Sequence, residues 1–239
     1  MRKETEREKL LNSSQCKAGA VLIFLIHFPL FSRCYCARDT TACLLSWATY
    51  ELTRHPELQE KLYEESLQST VIDDGEATRA VKELPLLHAF IMETLRLHPP
   101  VPSDVKECVS QDVWPDGQVV PPGAMVIYSP YLMGRSAKLW GKNAAEFDLS
   151  RWFDPDTGLP IKEPSSYKFP VFNAGLRLCL GKNVAILEST MMLSLAVRQF
   201  RFHPTEASQQ ATYAMSVTMP IKNGLKITVE KRQHAQATV

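Results

Sequence analysis

No CxxC pair occurs among the six cysteines, at positions 16, 34, 36, 43, 108 and 179, and their spacing lacks the evenness of a disulfide framework. That excludes the common zinc modules and a stapled secreted scaffold, and it points to a reducing compartment around the core. Each thiol, taken alone, reads as a small buried hydrophobe. Charge of one sign is missing too. With 27 basic and 26 acidic residues interspersed, net +1, there is no basic stripe for nucleic acid and no acidic tail, so any partner must be argued from a site. A long apolar run is also absent. The best stretch, AGAVLIFLIHFPLF from Ala18 to Phe31, is shorter than the roughly 18 to 20 residues that cross a bilayer and is broken by His27 and Pro29. As a signal or anchor core it is preceded by MRKETEREKLL, which mixes acids with bases, and no small-residue cleavage site follows cleanly. There is no internal repeat and no low-complexity tract.

What remains is an ordinary globular composition, 45% hydrophobic and 22% charged over 239 residues, long enough for one good core or two small ones. Regular patterning starts at Arg38. From there RDTTACLLSWATYELTR reads as an apolar helix, broken at Pro56, which opens a second, amphipathic helix at its first turn. Asp73-Asp74-Gly75 marks a turn, and AVKELPLLHAFIMETLRL predicts a helix over 80–97 that must stop before Pro99-Pro100. Residues 105–128 carry short β-rich pieces around Pro115-Asp116-Gly117, the pattern of small antiparallel hairpins. A loop-rich region leads to a long helix in GKNVAILESTMMLSLAVRQF, and SVTMPIKNGLKITVEKR predicts a closing hairpin turning at Asn223-Gly224. The fold class expected is mainly α with minor antiparallel β. Residues 1–37 form an atypical N-terminal segment, and 38–239 the folded part.

Cys179 stands in FNAGLRLCLG, directly before the long helix. Helix N-termini favour an anion, as a thiolate requires, and Gly175 and Gly181 can adopt the backbone conformations that let a loop lie against a flat group. Thiolate donation is what a haem iron needs to favour O–O cleavage. Glu93 and Arg96 lie one turn apart on an apolar helix; on a solvated face such a pair contributes a few tenths of a kcal/mol, whereas a buried one needs further partners. Asp39-Thr40 places an acid beside an alcohol, which serves either as a helix cap or as a short proton relay.

Together, and in this order, these segments resemble the cytochrome P450 family. FxxGxRxCxG is complete at Phe172, Gly175, Arg177, Cys179 and Gly181, a match expected by chance in about one chain of this length in ten thousand. The resemblance implies Cys179 as the proximal ligand of haem b and Arg177 as a partner of a haem propionate. It implies a structural triad of Glu93, Arg96 and Arg151, the last in a segment resembling FxPxRW that departs from it at Leu149. It implies Asp39 and Thr40 in the distal proton relay, where Cys36-Ala37 replace the family's Ala-Gly. Lys106, a solvated lysine by its surroundings alone, fits a second propionate contact, with Pro100 to Ser103 facing substrate. YSPYLMGR, Trp140-Gly141 and the FxxxRW segment are similar to the branch that hydroxylates long-chain fatty acids.

The resemblance covers residues 38–232, the C-terminal half of a normal family member. It implies haem-thiolate monooxygenation of an apolar, fatty-acyl substrate, with electrons from NADPH through a reductase, on the cytosolic face of the endoplasmic reticulum membrane. Thr40 beside Asp39 favours oxygen activation over hydroperoxide rearrangement. The alternative is a truncated, non-catalytic haem-binding remnant. Pro29 and SRCYC replace a helix-forming run, so residues 1–37 are expected to be either an anchor or a segment joined by an alternative transcript or gene-model error.

Overall fold

The computed structural model describes residues 35–69, 83–214 and 216–233. The apolar run of residues 18–31, the Pro29 interruption and the Asp73-Asp74-Gly75 turn lie outside them. The chain divides between Asp39 and Thr40 into two compact units. Of the first, only the opening of α1 (Tyr35–Arg54) is described.

In the second unit, Pro56 starts α2 (Pro56–Gln68) at the helix's first position, where a missing N–H costs nothing. Proline acts the same way at α3 (Pro85–Leu97), which a break at Leu84 separates from the helical Glu83, while residues 80–82 of the expected helix lie outside the described residues. Ten of its thirteen residues are buried, Glu93 and Arg96 among them. It ends as Pro99-Pro100 requires, the His98 amide bonding back to the Thr94 carbonyl at 2.7 Å. The last helix, here α6 (Lys182–Gln199), packs on α2 and α3. Its buried Thr190 and Ser194 hydroxyls donate to carbonyls of their own helix, which satisfies them without a partner element. Leu44, Leu52, Leu62, Phe90, Leu95, Leu193 and Val197 meet in the core between these helices.

Among the described residues the β structure is three two-stranded antiparallel ribbons. In the first, β1 (Asp104–Glu107) pairs with β4 (Met125–Tyr128). Between them β2 (Asp112–Val113) pairs with β3 (Val119–Val120) across the predicted turn, where Gly117 has φ +86°. Two short helices follow, α4 (Pro130–Gly134) and α5 (Ala137–Trp140). The third ribbon joins β5 (Phe200–Pro204) to β6 (Ile227–Lys231).

That pairing corrects the closing hairpin. Asn223 and Gly224 do turn, with φ of 62° and 75°, but the run before them contributes one bridge, Tyr213 to Ile221, and does not pair with β6. It is drawn to α1 instead. The Met219 carbonyl accepts from Trp47 Nε1 at 2.8 Å and from Cys43 Sγ at 3.0 Å, and its amide donates to the Pro100 carbonyl. Gln59 of α2, 1% exposed, reaches β5 with its carboxamide: Oε1 accepts the Phe202 amide at 2.6 Å and Nε2 donates to the Phe202 carbonyl at 3.1 Å.

Candidate functional site

The segment before α6 is shaped from its anchored end outward. Phe169 is buried edge-on against Trp140 and Trp152. A 3-10 turn over Pro170–Phe172 follows, then Asn173 at φ 67° and ψ −172°, a second 3-10 turn over Gly175–Arg177, and Cys179 three residues ahead of Lys182. The loop closes on itself where the Cys179 amide donates to the Phe172 carbonyl at 2.8 Å. Gly175, at φ +60°, uses the backbone freedom expected of it. Gly181 does not: its φ is −84°, and a Cβ there would meet Cys179 Sγ at an ordinary 3.9 Å. Cys179 is exposed, and so is Arg177. Around them Leu176, Leu178 and Leu180 are 106%, 49% and 101% exposed. Three outward leucines about a free thiol, at the positive end of an 18-residue helix, with a guanidinium two residues away, suit a flat apolar macrocycle that carries acidic groups at its edge.

Asn173 ties this loop to the first ribbon, a connection the motifs do not announce. Its Oδ1 accepts the Ala174 amide at 2.9 Å and lies 2.8 Å from the Tyr128 hydroxyl; its Nδ2 donates to Asp104 Oδ2 at 2.9 Å. The same Asp104 oxygen is 2.7 Å from the Tyr128 hydroxyl and accepts from Lys106 Nζ at 2.7 Å. Lys106 is thus engaged by Asp104 on the strand beside the loop. Burial pushes the Asp104 carboxyl up, but hydrogen bonds from Lys106, Tyr128 and the Val105 amide outweigh it and hold the group below the usual carboxylate range. Tyr128 is pushed up to about 12, by burial first and then by Asp104.

Glu93, Arg96 and Arg151 come together behind the loop. Glu93 and Arg96 are fully buried and share two contacts, Nε to Oε2 at 2.8 Å and Nη2 to Oε1 at 2.7 Å. Arg96 also donates to the carbonyls of Gly134, Ala144 and Glu146. Glu93 accepts from the Asp148 amide at 2.8 Å and from Trp152 Nε1 at 3.0 Å. Arg151 approaches Glu93 at 3.5 Å, but its hydrogen bonds go to the carbonyls of Trp140 and Asn143. Sequence reasoning missed Trp152 and Gly134. A Cβ on Gly134 would lie 2.1 Å from the Arg96 carbonyl oxygen, a close approach that only glycine permits. Leu149, at the position where the family has proline, is buried and opens a 3-10 turn that Asp148 caps by accepting the Ser150 amide at 2.9 Å.

Asp39 and Thr40 are interior to α1, which begins at Tyr35, so a helix cap is not their role. Asp39 pairs with Arg38 at 2.9 Å, both half-exposed, and Thr40 is half-buried. Among the described residues no group of three or more His, Cys, Asp and Glu is arranged to hold a metal, and no helix is long and apolar enough to cross a membrane.

A family model described as cytochrome P450 matches residues 36–227. Cytochrome P450 704C1 of Pinus taeda is 37% identical over 212 residues, covering 82% of this chain and 40% of the relative. Alkane hydroxylase MAH1 of Arabidopsis thaliana is 33% identical over 97% of this chain and 44% of its own length, and cytochrome P450 94A1 of Vicia sativa is 34% identical over 94% and 43%. The chain therefore spans about two fifths of the length of these relatives.

Proposed function

The chain belongs to the cytochrome P450 family, whose cofactor is haem with a cysteine thiolate ligand, and from that premise we propose that Cys179 is the ligand in a monooxygenase acting on long-chain apolar substrates. The observation that supports this best is the exposed Cys179 thiol, its amide locked to Phe172 and its surroundings three outward leucines. When bound, the haem supplies iron-centred activation of dioxygen. The chain's own residues then have separate tasks. With haem bound, Cys179 Sγ would ligate the iron, Leu176, Leu178 and Leu180 would keep water from the apolar ring, and Arg177 and Lys106 would hold its acidic groups. Phe172 supports the loop by accepting the Cys179 amide. Gly175 allows the turn, and Gly181 caps the helix that follows the thiol. Glu93, Arg96 and Arg151 keep the backbone behind the loop in one arrangement. The Thr40 hydroxyl and the Asp39 carboxylate hold and pass a proton from water.

Fatty acyl chains are the substrate class that the sequence branch suggests, and the name of the Arabidopsis relative adds alkanes. NADPH electrons arrive through a reductase partner, and the site of action is the cytosolic face of the endoplasmic reticulum membrane. The test is the reduced, carbon monoxide difference spectrum of the purified chain. A far red-shifted Soret band that disappears in Cys179→Ala is expected. A band that survives the substitution means another ligand, and a parent chain that takes up no haem leaves the non-catalytic remnant reading. Incubation with reductase, NADPH and a long-chain fatty acid or alkane should give a hydroxylated product by mass spectrometry.

A further inference from the structure

The Asn173 backbone, φ 67° and ψ −172°, lies in a region populated almost only by glycine, and such conformations persist where the surroundings over-determine them. Three contacts do so here. The Ala174 amide fixes which end of the carboxamide is oxygen, since only Oδ1 can accept it at 2.9 Å. That choice turns Nδ2 toward Asp104, where it donates at 2.9 Å, and sets Oδ1 beside the Tyr128 hydroxyl at 2.8 Å. The single proton of Tyr128 lies between Asn173 Oδ1 and Asp104 Oδ2, so the three side chains form one closed set across β1, β4 and the loop. Phe172, the residue before Asn173, supplies the carbonyl that accepts the Cys179 amide. Rotation at Asn173 would swing that peptide and release Cys179.

We propose that Asn173 is a positioning residue for the Cys179 thiolate, its carboxamide clamping the cysteine loop to the β1–β4 ribbon through Asp104 and Tyr128. The proposal rests on Cys179 being the ligand, but the clamp has a readout that needs no haem. Asn173→Gly relieves the strain of the observed φ while it removes the carboxamide contacts, two opposing effects, so the variant should fold with an unfolding midpoint close to the parent's. In the full chain without added haem, hydrogen exchange at the Cys179 amide should become about tenfold faster in this variant, a local opening and not a global one. Protection equal to the parent's overturns the clamp whether or not the chain binds haem.

At equal haem content, Asn173→Gly should also show a smaller fraction of the red-shifted carbon monoxide band. An undiminished band in Asn173→Gly with the amide deprotected overturns the link from clamp to thiolate. No such band in the parent overturns the ligand reading on which that link rests.

Discussion

Arg96 has no exposed surface, and a buried guanidinium is tolerated when each N–H meets an acceptor. It has five donors and five acceptors: two oxygens of Glu93 and the carbonyls of Gly134, Ala144 and Glu146. Replacing Arg96 by Lys keeps the charge and loses the fork, leaving carbonyls and part of Glu93 without donors; a loss of about 3 to 5 kcal/mol is expected in urea unfolding followed by circular dichroism. Gly134→Ala should be of similar severity for a different reason, because its methyl would overlap the Arg96 carbonyl at 2.1 Å and the backbone must move. A Gly134→Ala chain with parental stability would show that α4 can shift freely, contrary to the packing described. Asn173 is strained by a further ~1 to 3 kcal/mol, retained where its side-chain contacts hold the cysteine loop.

At the scale of elements, α1 is secured by contacts distant in sequence. Trp47 donates to Met219, stacks on His98 with rings 4.2 Å apart, and lies 1% exposed. Trp47→Phe removes the indole donor while Cys43 still serves the same carbonyl, so the expected cost is about 1 to 3 kcal/mol, again by urea unfolding. These contacts also explain which elements could be read in advance. The helices were legible because Pro56 and the Pro99-Pro100 pair act locally and because apolar spacing is local. Cys179 and the Glu93–Arg96 pair were legible because their chemistry sits in short motifs. Strand partnership was not, since Met219 is held by Trp47, 172 residues away, and that contact takes its segment from β6. Asn173 was hidden for a similar reason: nothing in FNAGLR gives the sign of φ or places Asp104 and Tyr128 beside it. Trp152 read as part of a motif, and only its indole contact with Glu93 shows what it does.

For the molecule as a whole, paired carboxylates, Glu51 buried and Glu60 half-exposed, make acid the weak side. Burial pushes Glu51 upward, but hydrogen bonds from His55 and His98 outweigh it and hold the carboxyl at about 2. Glu60 is held at about 2 by Arg232 foremost and also by Arg201. A carboxyl depressed in the folded state contributes stability above its unfolded value of 4.5 that is lost as pH falls toward 2. His98, lowered chiefly by burial, adds a loss that starts below 6.5, where the unfolded chain takes up a proton first. His55, raised chiefly by its hydrogen bond to Glu51, has the opposite sign and favours the fold below 6.5. Urea midpoints should therefore decline gently as pH falls from 6.5 to 5, the His55 contribution being complete by 6.5 while the His98 loss grows, and fall steeply between 4.5 and 2, and Glu51→Gln should flatten that acid limb. An acid limb equally steep in Glu51→Gln would assign it elsewhere.

Gln59 bears on association between molecules. A two-stranded ribbon offers a bare row of amides and carbonyls to any neighbouring chain, a template for stacking strand upon strand. Gln59 occupies part of that row on β5, answering the Phe202 N–H and C=O as another strand would. Because that answer comes from a side chain 1% exposed, Gln59→Leu leaves both Phe202 groups unpaired and covered, and a loss of about 1 to 3 kcal/mol is expected in urea unfolding.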